Sequence, residues 1–201
     1  MRRFILELKC FSGALVAGLI AAGLSPGVQA QAWTPQVLMQ ALAQHKSARA
    51  YFVENKYIGF VDRPIESRGE LSFVAPDRLE KRTLAPRQES LVLEGDTLQI
   101  EQAGKRRMSV SLPSHPEAAA FVESIRGTLA GDLVALQKYY TLDLSGSMER
   151  WKLVLVPRQE RLQNIVSRIR IEGVASTVCS IGFDQADGDR SEMLITQSKA
   201  P

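Results

Sequence analysis

Residues 67–102 read SRGELSFVAPDRLEKRTLAPRQESLVLEGDTLQIEQ, and this stretch decides the fold of the 201-residue chain. Apolar residues tend to alternate with polar ones within it, and Pro, Asp and Gly interrupt the alternation. A period of two is typical of strands with one apolar and one polar face. The stretch therefore predicts four successive β-strands at residues 68–74, 78–84, 89–93 and 97–102. Their apolar face must be covered, either by a packed core or by a ligand.

The same alternation continues on both sides of that stretch. Residues 47–60 form a long extended run, residues 107–112 alternate, and further short strands follow residue 141. The pattern predicts about ten or eleven strands, nearly all joined by short turns. Consecutive hairpins of this kind build one large antiparallel sheet, which has to curl or to be covered on one face.

Two segments have helical periodicity instead. Residues 33–44 carry one apolar stripe, and Thr34 before Pro35 is a typical helix start. A second helical segment, at about residues 115–139, interrupts the strands and divides them into two groups. We expect these helices to lie on the open face of the sheet.

The first 30 residues have the order of parts of a secretory signal peptide. Three basic residues precede an apolar run at residues 11–24, and residues 28–30 form a small-x-small cleavage site. We therefore expect residues 1–30 to be removed on export. Residues 31–201 would then form a single domain, the size of which suffices for an apolar core.

The charge balance argues against a nucleic-acid partner. The chain has 25 Lys and Arg against 22 Asp and Glu, and the predicted leader contains three of the former and one of the latter. The remainder, 22 against 21, has a net charge of +1. The positive net charge of the whole chain thus comes largely from its leader. The remaining residues have no large excess of positive charge that would favour binding to nucleic acid.

Residues with catalytic or metal-binding chemistry are few and scattered. His45 and His115 belong to no zinc-site spacing, and the sequence contains no G-x-S-x-G motif. The acidic residues around Gly188 lack the spacing of a calcium loop and favour an Asp-Gly hairpin. Cys179 has no partner once Cys10 is removed, which predicts a buried structural thiol. We expect no metal, no cofactor and no enzymatic activity.

The strand pattern resembles a known family. Residues 69–73 read G-E-L-x-F, prolines follow at positions 76 and 86, and residues 89–100 read E-S-L-x-L-x-G-D-x-L-x-I. This pattern, together with the order of leader, helix, strands and inserted helices, resembles the LolA-like periplasmic carriers of outer-membrane lipoproteins and their divergent relatives. The resemblance implies an α+β fold, in which a half-open antiparallel β-barrel carries a helical lid over a hydrophobic cavity.

The resemblance also implies a function and a set of partners. The protein would be a monomeric periplasmic carrier, or lipid chaperone, that transports a lipid, a lipoprotein acyl chain or a similar apolar molecule. It would meet an inner-membrane donor and an outer-membrane acceptor transiently. The residues expected to line the cavity are Leu71, Phe73, Leu91, Leu93, Leu98, Ile100, Met108, Val110, Leu153, Leu155, Ile169 and Ile171. Those expected on the lid are Val37, Leu38, Phe121, Ile125 and Leu129.

One position departs from the family pattern, and several interpretations stay open. The family has an arginine before the proline that ends the second strand, which holds the lid closed, whereas this chain has Ala75. The cargo could be a lipoprotein, a free lipid or a polyene-like product. The alternatives to a carrier are an envelope sensory or adaptor module that binds a protein partner, an enzyme acting on lipid esters, and a packed core without ligand.

Overall fold

The eleven strands form one antiparallel sheet in the computed structural model, which describes residues 32–198. The predicted signal peptide, residues 1–30, lies outside the described residues. The strands are β1 (Ser47–Tyr57), β2 (Ile65–Val74), β3 (Arg78–Ala85), β4 (Glu89–Glu94), β5 (Thr97–Gln102), β6 (Met108–Ser111), β7 (Tyr140–Ser147), β8 (Arg150–Pro157), β9 (Val166–Val174), β10 (Thr177–Gln185) and β11 (Arg190–Gln197). The four strands predicted in the opening stretch are confirmed as β2 to β5.

The order of the strands shows that the sheet is open. It runs β6-β5-β4-β3-β2-β1-β11-β10-β9-β8-β7, so the first and last strands of the chain are neighbours at its centre. Phe52 of β1 lies opposite Ile195 of β11 in that pair. The edges are β6 and β7, and in the described part of the chain they do not pair with each other. The sheet is thus not closed into a barrel.

The described residues also form four α-helices, α1 (Pro35–Leu42), α2 (Pro116–Ala130), α3 (Leu133–Tyr139) and α4 (Glu160–Gln163), and a short 3-10 helix at Leu112–Ser114. The predicted N-cap of α1 is confirmed, because the Val37 N–H donates to Oγ1 of Thr34 at 3.4 Å. Helices α2 and α3 form the predicted insertion. They connect β6 to β7, so this segment carries the chain from one edge of the sheet to the other.

A sharp turn separates α2 from α3. Gly131 ends α2 with φ +72°, a conformation that side chains with a Cβ rarely adopt. A Cβ at this position would also lie 2.2 Å from the Met39 carbonyl oxygen of α1. Asp132 then caps α3 by accepting from the Ala135 N–H at 2.9 Å. The turn therefore holds α2 close against α1.

The packed core lies between α1, the inserted helices and the strands β7 to β10. Leu38 and Leu42 of α1 are buried there with Leu136 of α3. The Trp151 ring fits over Gly173, and its Nε1–H donates to the Ala175 carbonyl oxygen at 2.8 Å. We call the sheet face that carries these buried side chains the inner face, and the opposite one the outer face. No helix among residues 32–198 has the length and apolarity needed to span a bilayer.

Candidate ligand-binding cavity

A cavity of about 1380 Å³ lies against the inner face of the sheet. It exceeds the ~300–1,000 Å³ that is typical of small-molecule sites. One wall comes from β1 to β5, a second from β10 and β11, and a third from α2. Most side chains that face it are apolar, and the rim contains charged groups such as Arg78 and Arg190. Such a space is suited to a large molecule with an apolar part.

Five of the twelve predicted groove residues line this cavity, namely Leu71, Phe73, Leu91, Leu93 and Leu98. They are inner-face residues of β2, β4 and β5, where alternation along the strand decides which side chains point inward. Ile100, Met108 and Val110 occupy the same face, opposite Leu91, Ile100 and Leu98 respectively, but they do not line the cavity. Met108 is 56 % exposed at the β6 edge.

The other four predicted groove residues have a different place. Leu153, Leu155, Ile169 and Ile171 are fully buried in the packed core of the sheet and helices. These four side chains do lie on the predicted apolar face, but side chains of the helices and of neighbouring strands already cover that part of the face. Alternation shows that a side chain faces inward and does not show what covers it. We therefore leave these four out of the proposed ligand site.

The predicted lid residues divide in the same way. Phe121, Ile125 and Leu129 of α2 line the cavity, and Val122 joins them. Leu38 of α1 is 0 % exposed and belongs to the core, and Val37 beside it is half-buried and does not line the cavity. Helix α1 is thus built into the core and contributes Leu42 to the cavity wall, whereas α2 contributes four residues.

The sequence analysis missed the wall formed by the last two strands. Val178, Ile181 and Phe183 of β10 and Met193 and Ile195 of β11 line the cavity. Their alternation is visible in the sequence, but their place depends on the pairing of β11 with β1. A bulge between Val178 and Ser180 shifts the alternation of β10. This explains why Cys179, predicted to be buried, is only half-buried and does not line the cavity.

Helix α2 is held to both halves of the sheet. The Phe121 ring stacks on the Phe183 ring of β10, with the centroids 4.7 Å apart. Nη1 of Arg126 donates to the Gly95 carbonyl oxygen in the β4–β5 turn at 2.7 Å, and Nη2 to Oε2 of Glu123 at 2.6 Å. The first two contacts join α2 to β10 and to the β4–β5 turn, and the third lies within α2.

A hydrogen bond also joins α2 to the first residue of β7. The Tyr140 hydroxyl donates to the Ala120 carbonyl oxygen at 2.9 Å. Tyr140 is 1 % exposed, and this burial raises the pKa of its hydroxyl well above the ordinary value. The phenol therefore stays protonated and can keep donating this bond.

Two charged side chains lie among the apolar residues of the cavity wall. Nζ of Lys81 on β3 donates to Oε2 of Glu54 on β1 at 2.5 Å. The residue Glu54 is 4 % exposed, and the side chain of Lys81 is 23 % exposed. The sequence analysis did not single out this pair, because the two residues are 27 positions apart and meet only across the sheet.

The acidic residues around Gly188 form a turn and ion pairs. Gly188 has φ +95°, and the Asp189 N–H donates to Oδ1 of Asp187 at 3.0 Å. Asp184 accepts from Arg168 and Arg170 on the outer face. No group of His, Cys, Asp or Glu among residues 32–198 has the arrangement of a metal site.

The relationship of the chain to known proteins follows from its sequence. Residues 27–200 match the family model described as outer membrane lipoprotein carrier protein LolA-like. The chain belongs to this LolA-like family. No match at a significant level appears among curated proteins.

Solved structures resemble this LolA-like chain only distantly. A LolA superfamily protein from Nitrosomonas europaea is 10 % identical, with 85 % of this chain and 96 % of that one covered and a TM-score of 0.43. A chain in the MucA/MucB complex of Pseudomonas aeruginosa is 12 % identical, with coverage of 83 % and 58 % and a TM-score of 0.37. One in the complex of the CwlD amidase with the GerS lipoprotein, from Clostridioides difficile, is 9 % identical, with coverage of 85 % and 96 % and a TM-score of 0.39.

Proposed function

We propose that this LolA-like protein is a periplasmic carrier that binds the acyl part of a lipid or lipoprotein in the cavity and takes it towards the outer membrane. The cavity of about 1380 Å³, with its largely apolar wall, is the observation that supports the proposal most. Leu71, Leu91 and Leu98 are half-buried on that wall and still have surface to offer to a ligand.

The free energy of transfer explains why such a carrier is needed. Each methylene that leaves water contributes about 0.8 kcal/mol, so a palmitoyl chain gains on the order of 10 kcal/mol by entering the cavity. An acyl chain of this length therefore does not cross an aqueous compartment at a useful rate alone. The cavity wall provides the apolar environment, and it needs no catalytic group.

Loading requires an opening, and α2 is the element that we propose moves. Its contacts with the sheet include the Phe121–Phe183 pair, the bond from Arg126 to Gly95 and the bond from Tyr140 to Ala120. Helix α1, in contrast, has Leu38, Met39 and Leu42 buried in the core. Phe121 is already 42 % exposed in the covered state. A ligand that replaces the contacts of Phe121, Ile125 and Leu129 would compensate for the opening.

The test is the binding of a fluorescent palmitoyl probe to the wild type and to two matched variants. Leu98→Glu places a carboxylate on the cavity wall, and Leu194→Glu places one on the outer face, where Leu194 is 63 % exposed. We expect Leu98→Glu to weaken binding about tenfold or more, because the charge must be desolvated against the acyl chain, and Leu194→Glu to leave it unchanged. If all three folded proteins bound the probe equally well, the proposal that the acyl chain binds in this cavity would be wrong.

A protein-binding adaptor is the alternative that the same experiment distinguishes. The MucB chain is found with MucA in its complex, and the GerS lipoprotein with the CwlD amidase. An adaptor of that kind would be recovered with a stable protein partner and would bind the palmitoyl probe weakly or not at all.

A further inference from the structure

The inner face of the sheet changes from apolar to polar along its strands. Residues directly opposite one another define rows across the sheet, and one row near the start of β1 is wholly apolar: Ala48, Phe73, Leu79, Leu93 and Leu98. The row four residues further along each strand has a different composition: Phe52, Gly69, Thr83, Glu89 and Gln102. The inner face of β3 to β5 is therefore amphipathic, and of the residues in the second row Glu89 lines the cavity.

Lys81 lies at this change of character, and Glu54 lies two residues beyond Phe52 on β1. Lys81 stands between Leu71 and Leu91 in the intervening row, and its Nζ reaches Oε2 of Glu54 at 2.5 Å. Nζ also lies 4.9 Å from the centre of the Phe52 ring. Gly69 makes room for that ring, since a Cβ there would come within 2.8 Å of it. The surroundings thus hold the lysine in place.

An ion pair at this position needs a reason beyond stability. Removing two charges from water costs as much as their attraction returns, and apolar residues of similar size often stabilise a fold equally well. Glu54 and Lys81 both line the cavity. Oε2 of Glu54 accepts from Lys81 and, at 3.5 Å, from Ser67, and no hydrogen bond from the described residues reaches Oε1. The pair therefore offers a carboxylate acceptor and ammonium N–H donors side by side.

We propose that Glu54 and Lys81 bind the head group of an amphiphilic cargo, and that this head group is uncharged and carries both a hydrogen-bond donor and an acceptor. This inference rests on the proposed carrier function. The pair has no net charge, so a charged head group gains from one member what it loses to the other, whereas a hydroxyl or an amide can donate to Glu54 and accept from Lys81. A glyceryl ester and an N-acyl amide share this chemistry. The acyl chain then lies along the apolar row.

The experiment measures how well palmitoyl compounds displace a fluorescent palmitoyl probe. Monopalmitoylglycerol and an N-palmitoylated peptide amide carry the expected head groups, from a free lipid and a lipoprotein respectively. Palmitate is the anionic comparison, and methyl palmitate lacks a donor. We expect the first two to bind about tenfold tighter than the last two, since hydrogen bonds to charged partners are among the stronger ones. If monopalmitoylglycerol binds more tightly than the peptide amide, the cargo is a free lipid; if the peptide amide binds more tightly, the cargo is a lipoprotein.

Two double variants test which residues cause the preference. Glu54→Leu/Lys81→Met removes the pair, and Lys152→Met/Glu172→Leu removes a pair of the same chemistry, with N···O 3.3 Å, from the exposed outer face. We expect the first to bind all four compounds with similar affinity and the second to keep the wild-type ranking.

Three results would overturn the inference. These are equal affinities in the wild type, tightest binding of palmitate, and a preference that survives in Glu54→Leu/Lys81→Met. The wild-type ranking decides the matter alone if that variant does not fold. If no palmitoyl compound binds to the wild type, the carrier function itself fails, which is distinguishable from equal binding of all four.

Discussion

Phe121 of α2 and Phe183 of β10 stack with their ring centroids 4.7 Å apart and their planes at 29°. The contact joins the inserted helix to a strand on the far side of the cavity from β4 and β5, and both residues line the cavity. An aromatic pair of this kind contributes about 0.5–1.5 kcal/mol beyond the area that it buries. In the proposed carrier, a contact of this strength would favour a covered cavity and could still be replaced by a ligand.

Phe121→Ala should make α2 open more often. We expect faster hydrogen exchange in residues 116–130 and faster release of a palmitoyl probe, with a loss of about 1 kcal/mol in the free energy of unfolding. Val134→Ala in α3, where Val134 is 79 % exposed, is the control. Unchanged exchange in α2 of the Phe121 variant would show that the stack does not hold the helix.

Arg126→Met should destabilise the protein more than a surface charge change would. Glu123 is 8 % exposed, and Arg126 donates to its carboxylate twice, so the variant leaves a buried charge without its partner. The expected loss is about 3 kcal/mol in urea denaturation.

The double variant Glu123→Leu/Arg126→Met is the matched control for that prediction. It removes both charges and should recover much of the lost stability. It should nevertheless show faster hydrogen exchange in α2 than the wild type, because the bond from Arg126 to Gly95 is absent. A double variant as unstable as Arg126→Met would contradict this account.

Gly131→Ala should be far more damaging than Gly104→Ala. Both glycines have a positive φ, +72° and +76°, so both substitutions cost about 1 kcal/mol or more in backbone conformation. Only at Gly131 would the new Cβ meet other atoms, at 2.2 Å from the Met39 carbonyl oxygen, because nothing lies within 4 Å at Gly104. Thermal denaturation of the two variants compares them directly, and equal losses would argue against the close packing of α1 on α2.

Tyr140 should make the protein less stable at alkaline pH. Burial raises the pKa of its hydroxyl in the folded state, whereas the unfolded state has the ordinary value of about 10. The unfolded chain therefore releases the proton first, and this contribution is fully present below pH ~10 and is lost as the pH rises above it, by about 1.4 kcal/mol per pH unit.

Tyr140→Phe removes that pH dependence together with the hydrogen bond to Ala120. The variant should be about 1 kcal/mol less stable than the wild type at pH 7 in urea denaturation. The difference should shrink or reverse above pH ~10. Parallel stability profiles of the two proteins through that range would contradict the assignment.

The strands could be predicted from the sequence because alternation is a local property. Residues 97–102 were predicted as a strand with the bounds that β5 has, and β2 differs only in beginning three residues earlier than the predicted residue 68. Thr34 also marks the start of α1 as expected. Each of these depends on neighbours within a few positions in the chain.

The site was harder to predict because it depends on distant pairings. Leu98 and Leu153 each lie in a strand, and both were predicted on its apolar face. Leu98 lines the cavity, whereas Leu153 is buried under helices. What separates them is the β1–β11 pairing at the centre of the sheet and the position of α1. The Glu54–Lys81 pair likewise exists only across strands.

The most direct test of the carrier function is native mass spectrometry of the protein purified from the envelope of its own cells. We predict one acyl-bearing molecule per protein on the wild type and on Leu194→Glu, and its loss from Leu98→Glu, which should fold normally by circular dichroism. Wild-type protein recovered without any bound lipid, or in a stable complex with another protein, would contradict the account.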